Sequence, residues 1–295
     1  MRILVADPIA EEGIQFLSSH AQVDVKTKLE LDQLKAIIGD YDALVVRSQT
    51  RVGAEVIESG KKLKVIGRAG VGIDNIDVEA ATRNGIVVVN APTGNIIAAA
   101  EHTIALMLAL ARNVPQANSH LKSGQWRRDQ FVGTEIRNKT LGIIGLGNVG
   151  SEVAKRVQAF EMRVIGHDPF VSEDYAHNLK VDLVSMDQLL EESDFITLHV
   201  PLTATTNKLI GGAELAQLKP TARIINCARG GVIDEKALLE AIKAGKVAGA
   251  AFDVFDHEPL TDSPLFREDK IIVTPHLGAS TVEAQTSVAR DVATE

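Results

Sequence analysis

The sequence predicts an α/β protein of two tandem, doubly wound parallel-sheet domains, and three observations lead there. Short β-branched runs alternate with amphipathic helical stretches along the whole chain. A glycine-rich turn near the middle joins one such run directly to a helix. The length of 295 residues suits two domains of about 100–200 residues each.

In the first domain, strands are expected at Ile3–Ala6, Val23–Lys26, Ala43–Arg47, Lys64–Gly67 and Ile86–Asn90. Helical periodicity falls between them, near Ala10–Ser19, Leu31–Ile38, Ala54–Ser59 and Val78–Asn84. Pro92 and Gly94 then interrupt the pattern, and one long helix is expected over Ile97–Lys122, with a kink at Pro115. Its apolar residues (Ile104, Leu106, Met107, Leu108, Leu110) surround most of its girth, which places it in a core or a subunit interface. A second series begins at Thr140, with six strands expected at 140–145, 163–167, 195–200, 222–227, 248–252 and 271–274. The predicted division is a first domain over 1–97, rejoined by a C-terminal return at 284–295, and a second domain over 98–283.

Thr140–Asp168 carries the most specific pattern: strand, glycine turn, helix, strand, acid. Gly145 permits the tight turn, Gly147 leaves room for a pyrophosphate against the backbone, and Gly150 lets helix and strand approach. The helix that follows points unpaired N–H groups and the positive end of its dipole at the phosphates. Asp168 lies 18 residues after Gly150, against an expected spacing of roughly 20. This is a Rossmann dinucleotide-binding fingerprint. Asp168 accepts hydrogen bonds from ribose hydroxyls and repels a 2′-phosphate, and the next residues, Pro169–Ser172, offer no arginine. NAD is therefore favoured over NADP.

A net charge of −8 with no basic run excludes a nucleic-acid surface. The single cysteine, Cys227, excludes an internal disulfide and suits a reducing compartment. The opening MRILVA leads straight into a strand and lacks the pattern of a signal peptide. The longest apolar segment, Ile96–Ala111, is interrupted by Glu101 and His102, too short and too polar to span a bilayer. A cytoplasmic location follows as the expectation. No metal-ligand set is expected.

Ligands of open parallel sheets bind beyond the carboxyl ends of the strands. Three polar groups follow three consecutive strands of the second series: Arg229 in Asn226–Gly231, Glu258 shortly after Phe252–Phe255, and His276 in Thr274–Ser280. Hydride transfer from a carbinol needs a base for the hydroxyl proton, and a histidine oriented by a carboxylate supplies one. A guanidinium beside them polarises the carbonyl and binds a neighbouring carboxylate. Each residue alone has an ordinary structural role, but their joint placement favours chemistry. His167, His177, His199 and His257 lack such partners in sequence and are read as structural or surface residues.

The runs NCARGG, Glu258-Pro259 and PHLGAST resemble the signatures of the D-isomer-specific 2-hydroxyacid dehydrogenase family. Val46-Arg47-Ser48, Gly67–Asn75, Pro92–Asn95 and Gly124–Gly133 extend the likeness over essentially the whole chain. The resemblance implies that Arg229, Glu258 and His276 are catalytic. It implies a smaller, flavodoxin-like substrate domain followed by the NAD domain, and a homodimer or higher homo-oligomer built on the NAD domain and its long helix. Cofactor contacts implied beside the glycines are Asn148, Val149, Asp168, Val200, Cys227, Ala228, Arg229, Asp253, His276, Gly278 and Ala279. One departure is Val71, where close relatives often carry threonine.

The residues favour a small phosphorylated 2-hydroxy acid. Successive amides of Gly70, Val71 and Gly72 can hold a carboxylate as a nest does. Arg47, at a strand end and beside Ser48, suits a phosphate in the interdomain cleft, as does Arg68, with Asn95 at the hinge. By resemblance, Arg127 and Arg128 reach a neighbouring subunit's cleft; the alternative is a solvated surface pair. Reductases of glyoxylate or hydroxypyruvate and D-lactate dehydrogenases carry the same trio, and their substrates lack phosphate. An NAD-sensing corepressor is the alternative from another class. Formate dehydrogenases of this fold carry a glutamine at the position of Glu258.

Overall fold

A computed structural model describes all 295 residues. It divides into two compact units, residues 1–95 with 279–295, and residues 96–278.

The first unit alternates β1 (Arg2–Val5), α1 (Glu11–Ser18), β2 (Gln22–Val25), α2 (Leu31–Ile38), β3 (Ala43–Val46), α3 (Ala54–Ser59), β4 (Val65–Arg68), α4 (Val78–Arg83) and β5 (Val87–Asn90). All strand pairs are parallel, in the order β2-β1-β3-β4-β5. This is the flavodoxin-like order, with its reversal between β1 and β3. Every residue of β3 is buried, as expected of a strand covered by helices on both faces.

The second unit contains α5 (Ile96–Arg112), α6 (Val114–Lys122), β6 (Thr140–Ile144), α7 (Asn148–Val157), β7 (Arg163–His167), α8 (Glu173–Asn178), β8 (Asp182–Leu183), α9 (Met186–Glu192), β9 (Phe195–Leu198), α10 (Gly212–Leu215), β10 (Arg223–Asn226), α11 (Glu235–Lys243), β11 (Gly249–Phe252) and β12 (Ile271–Val273). The sheet runs β12-β11-β10-β9-β6-β7-β8 and is parallel throughout. Its order reverses at β6, so the crevice beyond β6 and β9 is the topological switch point where such sheets bind ligands. One face is packed by Leu106, Met107 and Leu110 of α5 with Val153 and Val157 of α7. The other is packed by Leu189 of α9, Leu215 of α10, and Leu238 and Ile242 of α11.

The last helix, α12 (Val282–Thr294), belongs to the first unit. The Thr281 side chain caps it by accepting from Ala284 N at 3.1 Å. It crosses α1 closely: a Cβ on Gly13 would lie 2.8 Å from the Ala289 Cβ and 2.9 Å from its carbonyl oxygen.

The structure corrects two expectations. The long helix is two helices, α5 and α6, set at 63°. The break lies at Asn113, which takes φ +51, and Pro115 sits in the first turn of α6 rather than at a kink. Asparagine tolerates the left-handed conformation, and proline suits a helix start, where its missing N–H has no intrahelical partner. The sheet has seven strands rather than six. The extra one, β8, is two residues long and pairs only with Ile165 and Gly166, too short to show any periodicity. No single helix is long and apolar enough to cross a membrane.

Because helix backbones meet at Gly13, Gly13→Val is expected to lower unfolding stability by about 1–3 kcal/mol through overpacking. Urea denaturation of the variant beside wild type measures it, and an unchanged midpoint would contradict the close α1–α12 contact.

Candidate active site

The glycine turn lies beyond β6. Gly145 takes φ +93, accessible at no cost only to glycine, and a Cβ there would sit 2.9 Å from Cγ1 of Val200, just after β9. A Cβ on Gly150 would run into the Gly145 carbonyl oxygen. Gly147 differs: a Cβ there meets nothing within 4 Å, so its backbone faces open space. No side chain caps α7, and Gly147 and Asn148 are exposed while Val149 is half-buried. An uncapped helix N-terminus facing open space fits the pyrophosphate of a dinucleotide.

Asp168 follows β7 and is drawn against the turn. Its Oδ2 accepts from Leu146 N at 2.8 Å and its Oδ1 from Phe170 N at 2.9 Å. Each oxygen keeps a second lone pair for a ribose hydroxyl.

Beyond β10, the buried Asn226 shapes the arginine loop. Its Oδ1 accepts from Ala228 N at 3.0 Å and its Nδ2 donates to Arg229 O at 2.9 Å. Arg229 donates from Nη1 to the Ala228 carbonyl at 2.7 Å. Burial pushes the neighbouring Cys227 thiol up to about 12, so it stays protonated and is no nucleophile. A Cβ on Gly230 would collide with the Phe255 carbonyl, so the loops after β10 and β11 run in contact.

Glu258 accepts from Phe255 N at 3.0 Å through Oε1, and its Oε2 lies 2.6 Å from His276 Nδ1. Partial burial alone would raise its pKa, but hydrogen bonds from His276 and the Phe255 amide outweigh that and hold the carboxyl below its ordinary value. The carboxylate therefore stays ionised and fixes the proton of His276 on Nδ1, leaving Nε2 free to accept a proton. The ring is exposed, with 45% of the side chain accessible.

His276 stands at φ +55, unusual for a non-glycine residue. Its amide donates to the Asp253 carbonyl at 2.9 Å and to the Thr274 carbonyl at 3.0 Å. The Asp253 carboxylate, fully buried, accepts from Thr274 Oγ1 at 2.6 Å, Leu277 N at 2.7 Å and Gly278 N at 2.8 Å. His102 Nε2, on α5, lies 3.2 Å from both Asp253 Oδ1 and Thr274 Oγ1. Burial would raise the Asp253 pKa, and the His102, Thr274 and Leu277 donors overcome it and lower it. The carboxylate implied as a cofactor contact is thus engaged by the loop that carries His276. Sequence reasoning missed His102, Asn226 and Thr274 as supports; the signal for His102 was the polar break Glu101–Thr103 within a mostly apolar helix. Burial pushes His199 down to about 4, and its Nε2 meets Thr197 Oγ1 at 3.0 Å, a neutral structural histidine.

In the first unit, Arg47 and Ser48 follow β3, Arg68 ends β4, Gly70–Gly72 follow it, and Asn95 lies beyond β5. All five strands are parallel, so these residues share the carboxyl edge of one sheet. Asp7, 1% exposed, accepts from Arg47 N at 2.6 Å, Thr50 N at 3.1 Å and Thr50 Oγ1 at 2.6 Å. Asn75 Nδ2 donates to the carbonyls of Arg47 and Thr50, both at 2.7 Å. The nest is smaller than expected. The Gly70 amide donates to Arg68 O at 2.8 Å in a tight turn, which leaves the amides of Val71 and Gly72. Asn90 Nδ2 holds the Val71 carbonyl at 2.6 Å, and a Cβ on Gly70 would strike the Arg68 guanidinium. Arg128 is not in this group; it lies exposed on a 3₁₀ turn at Arg128–Phe131 in the second unit. Ala279 is the first residue of the returning segment.

The chain belongs to the D-isomer specific 2-hydroxyacid dehydrogenase family, for residues 104–278 match the model of its NAD binding domain. It is 54% identical over 292 residues to D-3-phosphoglycerate dehydrogenase of Synechocystis, covering 99% of this chain and 53% of that protein. It is likewise 54% identical to D-3-phosphoglycerate dehydrogenase of Archaeoglobus fulgidus, covering 99% of this chain and 56% of the relative. The chain therefore spans about half the length of these curated relatives. Among solved structures, a glyoxylate reductase from Paecilomyes thermophila superposes with a TM-score of 0.89 at 32% identity, covering 100% of this chain and 93% of that one.

Two predictions follow from this geometry. Asp168→Ala is expected to weaken NAD binding about tenfold and narrow its margin over NADP; calorimetric titration of both nucleotides checks it, and an unchanged ratio would contradict the role of Asp168. The Glu258 pKa is lowered on folding, so its pairing stabilises the fold above the ordinary value of 4.5 and that gain fades as pH falls below it. The stability gap between wild type and Glu258→Gln should accordingly close in acid, as measured by denaturation at a series of pH values.

Proposed function

We propose that the protein oxidises D-3-phosphoglycerate to 3-phosphohydroxypyruvate with NAD. The observation that carries the substrate is Arg47. Its guanidinium is half-buried, and desolvation with only the more distant charge of Asp7 to offset it lowers its pKa. A desolvated guanidinium without an ion pair suits an anionic ligand, and a phosphate supplies one with charge-assisted hydrogen bonds. The identity to D-3-phosphoglycerate dehydrogenases supports the same reading.

In this reading Arg229 binds the substrate carboxylate and polarises the C2 oxygen. His276 Nε2 takes the hydroxyl proton, and the Glu258 carboxylate stabilises the imidazolium that forms. NAD, held at the glycine turn and Asp168, supplies the hydride acceptor. Arg47, Ser48 and Arg68 are the candidates for the phosphate, and the Val71 and Gly72 amides with Asn95 complete the substrate set. Val200, Cys227, Ala228, Gly278 and Ala279 are further cofactor candidates. The subunits pair through α6 and the segment after it, where Val114, Leu121, Trp126 and Val132 are exposed apolar residues, and Arg128 on that segment serves a neighbouring subunit. The location is cytoplasmic.

NADH formation with D-3-phosphoglycerate, D-glycerate and D-lactate tests the substrate: the phosphorylated acid should be strongly preferred, and turnover of only the other two would refute it. His276→Ala should lower kcat by roughly 10²-fold or more while NAD still binds. Arg47→Ala should raise KM for the phosphorylated acid about tenfold or more and leave kcat largely intact.

A further inference from the structure

His276 occupies a backbone conformation that costs a non-glycine residue free energy, and such strain persists only where the surroundings over-determine it. Beside the bonds of the His276 amide and ring, one side chain supplies much of the over-determination. The Asp253 carboxylate holds the loop on both sides of His276, by the Thr274 hydroxyl before it and the Leu277 and Gly278 amides after it. A fully buried carboxylate can do this only if its remaining acceptor capacity is also filled. His102 fills it from outside the loop, with Nε2 at 3.2 Å from Oδ1 and from the Thr274 hydroxyl. The acceptor surroundings put the proton on Nε2. His102 itself sits in the second turn of the 17-residue α5, which is packed against the sheet, so its position is set independently of the loop. The same helix approaches the loop again at Ala99, whose Cβ lies 4.0 Å from where a Cβ on Gly278 would be.

We propose that His102 is a positioning residue: through Asp253 and Thr274 it ties the loop 274–278 to α5 and so fixes the ring of His276. The consequence for turnover rests on the reading that His276 transfers the proton. Without His102 the carboxylate keeps only side-chain and amide donors that belong to the loop itself, and the loop relaxes from the left-handed conformation at His276. Proton transfer at His276 is sensitive to such displacement, whereas binding of the acid through Arg229 and the first unit is not.

The test compares wild type, His102→Ala and His102→Gln, whose amide N–H reaches the place of Nε2–H. In the protein without ligands, hydrogen exchange at Leu277 and Gly278 should quicken about tenfold in His102→Ala and return toward wild type in His102→Gln, with β6 unaffected. In turnover of D-3-phosphoglycerate, kcat should fall about tenfold in His102→Ala, with KM for the acid within about twofold, and recover in His102→Gln. Unchanged exchange in His102→Ala, or loss that glutamine does not rescue, overturns the proposal. Quickened exchange with normal kcat overturns its catalytic consequence. Should His102→Ala not fold, Thr274→Val cuts the same network with little change of shape and carries the same expectation. If wild type turns over no acid, the proposed reaction fails, and the exchange measurement still decides the role of His102.

Discussion

An ionised carboxylate with no access to water must receive hydrogen bonds at nearly every lone pair, and Asp253 meets that demand with groups from two places. Its position after β11 is set by the sheet, since its amide donates to Asn226 O at 2.9 Å in continuation of the strand pairing. The loop after β12 must therefore fold down over it, and His276 is the residue left at the top of that fold. Asn226 does the same for the neighbouring loop, with an amide that supplies both an acceptor and a donor. Two buried polar side chains at adjacent strand ends thus place the imidazole and the guanidinium. Replacing either by an apolar residue of equal size would leave the sheet intact and the loops without a reason for their shape.

The parallel sheet imposes the larger constraint. Every strand of the second unit points its carboxyl end to one edge, so loops from distant parts of the sequence meet there without long excursions. Residues 145–150, 168, 229, 258 and 276 span more than a third of the chain and converge for that reason alone. Close loop crossings then couple them: Gly230 passes against Phe255, and the Phe255 amide holds Glu258.

Features that act through the chain's own local pattern were legible in the sequence. The fingerprint from Thr140 to Asp168, the alternation of strands and helices, and the residues that follow strand ends needed only spacing and composition. Features that depend on a partner far along the chain were not. β8 exists because Gly166 and Ile165 offer an open edge, and its two residues have no pattern of their own. Asn113 ends a helix although the apolar stretch continues toward it, since a single left-handed residue leaves no periodic trace. The Gly70 amide is turned inward by a bond to Arg68 that no residue type announces. His102 faces a partner 151 positions later, Asp253, and sequence shows only that Glu101, His102 and Thr103 interrupt a mostly apolar helix.

The first unit uses the same device for a different end. Asp7, just beyond the carboxyl end of β1, accepts from two amides and a hydroxyl of residues 47–50, and Asn75 Nδ2 donates to two carbonyls of the same turn. Four residues of backbone are thereby fixed from both sides, so the Arg47 side chain starts from a rigid base. A guanidinium on a mobile loop would lose conformational freedom on meeting an anion and discriminate little between one charge and two. A rigid, partly desolvated one has already lost its water and gains most from a dianion that restores the missing charge. On the proposed mechanism the second unit's trio carries the hydride-transfer chemistry, and a glyoxylate reductase shares the fold. In the proposed reaction, selection of a phosphorylated acid would reside in groups such as Arg47, whose partial burial an anionic ligand would offset.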